Sequence, residues 1–371
     1  MPVQFRSVSS PSSHAFVLRK GKLLLGNLVL AVASLLTVVL FAEAASSLFL
    51  PSPIAWRDPQ ELYNHDPLLG HVLAPGQHAF THSFPVSTNS HGFRDREYPL
   101  IPPSGTVRIL CLGDSLTFGD GVAVEDTYPK RLEAILHGSG GLKFEVINAG
   151  VPSYDTWQEI ALFKTKGARF EPHIVILGFY GNDIVPRPEI VKTSLSGDGT
   201  LRRKGFGGVF PDEVVHILKG SRFLLFLKDR VGKLINFIQP SSEYLHQRAL
   251  LEGLPDEFLE QGWHEVESSL KEMTELQRTH NFRFVIMSFP MAEQLMHEHP
   301  LAQYPGRLKG IAEKLQIPFI DLQPVLKREF KGFGSLFIEW DGHPNPQAHR
   351  IAAEELSGVL VPMLRAELDG R

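Results

Sequence analysis

The stretch "ILCLGDSLTFGDGV" (109–122) decides how the rest of the chain is read. Ile109 to Leu112 form an apolar run of the kind that fills a buried strand, and they lead straight into Gly113, Asp114 and Ser115. A strand that ends by presenting a serine is either followed by an ordinary tight loop or built to hold a nucleophile where a substrate reaches it. Cys111, the single cysteine, lies inside the run and reads as a small buried hydrophobe, so a disulfide framework is excluded.

The same pattern recurs along the chain. Val107–Leu112, Phe144–Ile147, Ile174–Phe179, 282–289 and 318–322 read as strands, with helical stretches from about Tyr128 to Leu136 and from about Thr156 to Thr165 between them. Strands alternating with helices predict a parallel sheet covered on both faces. In such sheets the ligand crevice lies beyond the carboxyl ends of the strands. Three clusters fall at such ends: Gly113-Asp114-Ser115, Asn148-Ala149-Gly150 and Gly181-Asn182-Asp183.

A serine hydroxyl needs an adjacent base to become a nucleophile, and the oxyanion it generates needs donors aimed at it. The backbone N–H of Ser115, an N–H of Gly150 unobstructed by a Cβ, and the side-chain amide of Asn182 are suited to that task. Among sixteen histidines, His343 stands out in "EWDGHPNPQAHRIAAEEL", two residues after Asp341 and just before a helical run. Asp341 is placed to accept from the imidazole Nδ1–H, leaving Nε2 for the serine. By contrast, "HEHP" (297–300) offers two histidines without a third ligand, and "GDG" (119–121) lacks the lysine of a phosphate-binding loop. No metal and no cofactor is expected.

Taken in order, "GDSLTFG", "NAG", "GND" and "DGHPN" resemble the four blocks of the SGNH hydrolases, also called GDSL-type lipases and acylhydrolases. The resemblance covers 107 to about 360. It implies a flavodoxin-like three-layer α/β/α sandwich with a parallel five-stranded sheet. It also implies Ser115 as nucleophile and oxyanion donor, Gly150 and Asn182 as the other two donors, His343 as base and Asp341 as its partner. The commonest form of the last block has its acid three residues before the histidine, where this chain has Trp340. Some exported polysaccharide-modifying relatives place it two before, as here, and Glu339 is the fallback. "NSHGFRD" (89–95) resembles a segment found upstream of the core in exported members, and its expected role is packing.

The bulk numbers agree with an enzyme of this size. The chain has 371 residues, 43% apolar and 21% charged, a globular composition. Its formal charge of −4 gives no sign of a nucleic-acid partner. Residues 23–41, LLLGNLVLAVASLLTVVLF, carry no charge, and as a helix they span about 28 Å, the depth of a bilayer core. Arg6, Arg19, Lys20 and Lys22 precede this stretch, and no Lys or Arg follows until Arg57. The positive-inside bias therefore predicts a cytoplasmic tail (1–22), a transmembrane signal-anchor (23–41) and everything beyond it outside the cytoplasm, on the periplasmic side of an inner membrane or extracellular. A cleaved signal peptide, with Ala42-Glu43-Ala44 as its site, is the rival.

The expected organisation continues with an extended segment over 42–105 and a hydrolase domain over 106–371, with a helical insertion at about 184–280. Within the insertion, 213–238 predicts one or two amphipathic helices, serving either as packing helices or as a cover over the site. The function expected is cleavage of carboxylic esters of small molecules, lipids or glycans through an acyl-enzyme. An O-acyltransferase acting on envelope glycans with the same residues is the alternative, and a catalytically silent, membrane-tethered binding domain is the third reading.

Overall fold

The run Thr106–Gly113 lies in the middle of a sheet, and only Val107 among its eight residues escapes full burial. A strand covered on both faces has no polar side and reads as a continuous apolar stretch. The computed structural model describes residues 13–53, 62–138, 143–184, 193–195, 201–203 and 218–369.

In chain order, a long helix α1 (Ser13–Phe49) comes first. Two antiparallel hairpins follow, β1 (Tyr63–Asp66) with β2 (Gly70–Leu73) and β3 (His78–Thr81) with β4 (Phe84–Ser87). The core then alternates: β5 (Thr106–Gly113), the short α2 (Ser115–Phe118), α3 (Tyr128–Gly138), β6 (Lys143–Asn148), α4 (Thr156–Thr165) and β7 (Ile174–Phe179). The insertion contributes the small hairpin β8 (Thr193–Leu195) and β9 (Leu201–Arg203), then α5 (Arg222–Ile238), α6 (Ser242–Glu252) and α7 (Glu257–His280). The chain closes with β10 (Arg283–Ser288), α8 (Ala292–Met296), α9 (Gly306–Lys314), β11 (Phe319–Asp321), α10 (Gln323–Glu329), α11 (Phe333–Leu336) and α12 (Pro346–Asp369).

The main sheet has five strands in the order β11-β10-β7-β5-β6, every neighbouring pair parallel. Counting only these five, β5 is first and the order is 2-1-3-4-5, the doubly wound flavodoxin-like arrangement. Alternate residues of each strand face opposite ways, so two cores form. Leu110, Leu112, Val175 and Leu177 pack with α4, α7, α9 and both N-terminal hairpins. Ile109, Cys111, Ile174 and Ile176 pack with α3, α10 and α12. The expected three-layer sandwich is the observed one.

Two expectations change in detail. Residues 42–105 are not merely extended: α1 continues to Phe49, and Leu62, Leu69, Leu73, Ala79, Val86, Phe93 and Tyr98 enter the first core. Within 213–238, α5 packs against α1 through its first half, with Phe223 to Phe226 half-buried, while its C-terminal half is exposed. Residues 213–217 lie outside the described residues, as do residues 1–12 of the expected tail. One described helix is long and apolar enough to cross a membrane, over Leu25–Phe49, with mean hydropathy 2.4 and none of it buried inside the molecule.

Candidate active site

The crossing from β5 to α2 is made possible by Gly113. It sits at φ +152°, and a Cβ there would overlap the Thr117 hydroxyl. Asp114 then caps α2, its Oδ1 accepting from the Leu116 N–H at 2.8 Å, so that Ser115 opens the helix. The other oxygen, Oδ2, accepts from the Asn182 amide at 2.9 Å, which ties the nucleophile turn to the end of β7. The end of β6 is held to β5 by Ala149 N–H to Cys111 O and Val151 N–H to Gly113 O, both 2.9 Å. Three sequence clusters thus converge on the switch point between β5 and its neighbours, where open α/β sheets bind ligands.

The Ser115 Oγ lies 2.9 Å from His343 Nε2. On the far side of the imidazole, Nδ1 makes a short hydrogen bond to Asp341 Oδ1. That oxygen also accepts from the His343 backbone N–H at 3.2 Å. The turn that presents the pair is closed by Ile338 N–H to His343 O at 2.8 Å and Gly342 N–H to Ile338 O at 3.0 Å. Trp340, at the place where the acid more often stands, has φ +65°, and Glu339 turns its carboxylate toward Gly334. The geometry therefore joins Asp341, rather than the fallback Glu339, to His343.

The expected oxyanion donors are less uniform. Asn182 is exposed and near the serine turn through Asp114. The Gly150 N–H is directed at Asn148 Oδ1, 3.1 Å away. A side chain at 150 is excluded by the nucleophile turn itself, since a Cβ would overlap the backbone at Thr117 and Phe118.

Two residues that sequence reasoning missed complete the cluster. His82, in the two-residue turn between β3 and β4, reaches across 259 positions to place Nε2 at 3.0 Å from Asp341 Oδ2. Its Nδ1 is 3.6 Å from Asp120 Oδ1. Asp120 also accepts from Thr81 Oγ1 and comes within 3.9 Å of His343 Nε2. His82 is 3% exposed and holds φ +53°, a region that non-glycine residues occupy at a cost and retain where surroundings enforce it. The one available sequence signal was a histidine at a hairpin turn, which chemistry alone does not distinguish from fifteen others.

Electrostatics follow from this ring of groups. Burial by itself would raise the Asp341 carboxyl, but hydrogen bonds and charge from His343 and His82 outweigh it and hold it far below the usual carboxylate range. For His82, burial opposes protonation, yet Asp120 and Asp341 win and push it up to about 9. His343 is raised above the ordinary imidazole value: burial works against this, while Asp341, Asp120 and Asp114 work for it. Asp120 is lowered despite burial, through His82 and His343.

The "NSHGFRD" segment has a defined place behind the serine. Arg94, buried, donates from Nη1 to Phe118 O at 2.9 Å and Gly119 O at 2.6 Å, and from Nη2 to Val122 O at 2.7 Å. Asp95 accepts from the Asn148 N–H at 2.9 Å and from Lys130 Nζ at 3.0 Å, so one dipeptide holds two of the site's loops. His173 accepts the Arg108 N–H at 3.0 Å within the sheet, away from the site. No group of three or more His, Cys, Asp or Glu suited to a metal is found among the described residues.

Comparison with known proteins places this arrangement. No curated protein matches the chain. Among solved structures, it is similar to the acetyl xylan esterase AlAXEase, with 13% identity over 68% of this chain and 100% of that one, at TM-score 0.41. TesA matches with 13% identity over 69% of this chain and 98% of that one, at TM-score 0.42. The psychrotrophic esterase EstA from Pseudoalteromonas sp. matches with 14% identity over 70% and 98%, at TM-score 0.39. The model of the GDSL-like Lipase/Acylhydrolase family matches residues 111–351, well over half of the sequence. The chain belongs to the GDSL-like lipase/acylhydrolase family and is an ester-hydrolysing enzyme.

Proposed function

We propose that the protein cleaves carboxylic esters through an acyl-enzyme on Ser115, from a domain tethered to the membrane by α1. The observation that carries this reading is the unbroken chain Ser115 Oγ, His343 Nε2 at 2.9 Å, His343 Nδ1, Asp341 Oδ1. In the first half-reaction Ser115 Oγ attacks the acyl carbonyl while His343 Nε2 takes its proton. Asp341, held ionised, orients the ring and stabilises the imidazolium. The Ser115 N–H, the Gly150 N–H and the Asn182 amide receive the oxyanion. Gly150 meets that demand by exchanging Asn148 Oδ1 for the oxyanion. His343 then returns the proton to the leaving alcohol, and water, activated by the same imidazole, releases the acid and restores Ser115.

The proposed topology leaves residues 1–22 in the cytoplasm, 23–41 in the bilayer, and 42–371 outside. The basic residues before the apolar run and their absence behind it support this orientation. The deciding experiment treats the detergent-solubilised full chain with a fluorophosphonate and maps the adduct. A single adduct on Ser115, with ester hydrolysis lost in Ser115→Ala and the fold retained, is the expected result. Wild-type hydrolysis by Ser115→Ala overturns the assignment. Adding a sugar acceptor in the same assay separates transfer from hydrolysis, because a transferase diverts acyl groups from free acid to sugar ester.

A further inference from the structure

Helix α5 packs against α1 at its N-terminal half and, among the described residues, leaves its C-terminal half uncovered. In its sequence, RFLLFLKDRVGKLINFI, Phe223 to Phe226 are half-buried, whereas Leu234 is 57% exposed, Phe237 86% and Ile238 73%. At 3.6 residues per turn, Leu227, Val231, Leu234 and Ile238 fall within about 60° of one another and form one stripe. Lys228 borders the stripe on one side and Arg230 on the other; the helix's one acid, Asp229, lies opposite, 2.9 Å from Lys233 and 3.8 Å from Arg230. An apolar stripe between cations is the composition of a helix that lies in an anionic lipid surface.

The position of α5 fixes which surface. Its N-terminus is bound to α1 at Glu43, the first charged residue after the apolar run. The Glu43 carboxylate accepts from Ser221 Oγ at 2.5 Å and from the Arg222 and Phe223 N–H groups at 3.0 Å each. Arg222 in turn donates to Ser47 O at 2.7 Å and Ser52 Oγ at 2.5 Å. On the proposed 23–41 span, the helix therefore begins two residues beyond the end of the hydrocarbon segment. The catalytic turn is tied to the same place, because Trp340 Nε1 donates to Pro51 O at 3.2 Å, one residue before Asp341.

We propose that α5 docks its apolar stripe into the headgroup layer of the bilayer that α1 enters, setting the Ser115 site at the lipid surface to receive esters of membrane-borne amphiphiles. The tether, the stripe and the flanking cations all act on one leaflet. The substrate part of the proposal rests on the ester-cleaving reading above; the docking part does not.

The test uses the full chain in phosphatidylcholine vesicles with and without phosphatidylglycerol. Cys111 is fully buried, so a Leu234→Cys variant takes an environment-sensitive fluorophore at the stripe alone. The expected result is a blue-shifted emission that doxyl-labelled lipid quenches, more strongly with phosphatidylglycerol present. A water-like emission overturns docking, and so does an apolar emission untouched by doxyl lipid, which assigns the stripe to a protein partner. The second arm replaces Leu227, Leu234 and Ile238 with Glu and compares a vesicle-embedded long-chain ester with soluble p-nitrophenyl acetate. Hydrolysis of the embedded ester falls by about tenfold or more while the soluble ester is cleaved at the wild-type rate. Equal rates on both esters in the variant and the wild type overturn the substrate assignment. Failure of the wild type to cleave either ester removes the esterase reading, while the fluorophore still reports docking.

Discussion

His82 stands between two carboxylates, and its effect on the site can be separated from that of His343. By gripping Asp341 Oδ2 it fixes the acid whose other oxygen orients the base. A His82→Gln variant keeps one hydrogen-bonding group but loses the cation; we expect kcat to fall by about 10- to 100-fold with KM little changed, since misplacement of a catalytic group by about 1 Å has that effect. Stability offers an independent reading. A histidine raised to about 9 in the folded chain adds stability that is complete below its ordinary value of about 6.5 and vanishes as the pH rises through 9. Melting of the wild type should therefore decline across that interval, and His82→Gln should flatten the decline; an identical slope in both would refute the charge assigned to His82. For His343 the sign is simple as well. A general base acts when neutral, so a raised imidazole puts the acid limb of kcat/KM above about pH 6.5. Asp341→Asn should move that limb downward and cut kcat by up to about 10⁴-fold, which a pH–rate profile reads directly.

At the level of elements, the site is a set of strand ends braced from behind, and the brace is the part that sequence patterning did not reveal. Arg94 satisfies three carbonyls of the α2 turn and lies 4.8 Å over the Phe118 ring. Arg94→Met removes the three strong bonds, leaving Phe118 O and Gly119 O only the longer ones from Asn148 Nδ2 (3.4 Å) and the Val122 N–H (3.3 Å), and should destabilise the fold by about 2–5 kcal/mol, with loss of activity. Arg96→Met, a half-exposed neighbour, should cost under about 1 kcal/mol, and denaturant titration of the two variants tests the contrast. The central strands β5, β7 and β10 were legible because a strand buried on both faces reads as a continuous apolar run, and the edge strands β6 and β11 because each keeps a short apolar stretch between turn residues. The nucleophile, the base and its acid were legible because Gly-Asp-Ser and Asp-Gly-His carry their chemistry in adjacent residues. His82 and Arg94 were not, because each acts on a partner 24 or more positions away through a contact that leaves no periodicity in its own segment. The free face of α5 was hidden for another reason: an amphipathic pattern states that a stripe will be covered, and not by what.

Across the whole molecule, the hydrolase core and the segment before it share one hydrophobic cluster, and we expect them to melt as one unit. The family match begins at residue 111, which suggests that the core stands by itself. The packing argues otherwise. Leu62, Leu69, Leu73, Val86 and Phe93 belong to the same core as β5 and β7. Burying each such side chain contributes about 1.5–3 kcal/mol. Their sum reaches the entire stability of an ordinary domain, about 5–15 kcal/mol. The same segment supplies His82 to the acid and Arg94 to the serine turn. A chain begun at Leu62, kept in mild detergent to cover the α5 stripe, should fold and hydrolyse a soluble ester near the wild-type rate. A chain begun at Thr106 retains Ser115, Gly150, Asn182, Asp341 and His343, yet should show no cooperative melting transition and no activity. Circular dichroism melts and an ester assay on the two chains decide the matter. Cooperative melting of the shorter chain at the temperature of the longer one would show that the hairpins decorate the core rather than complete it.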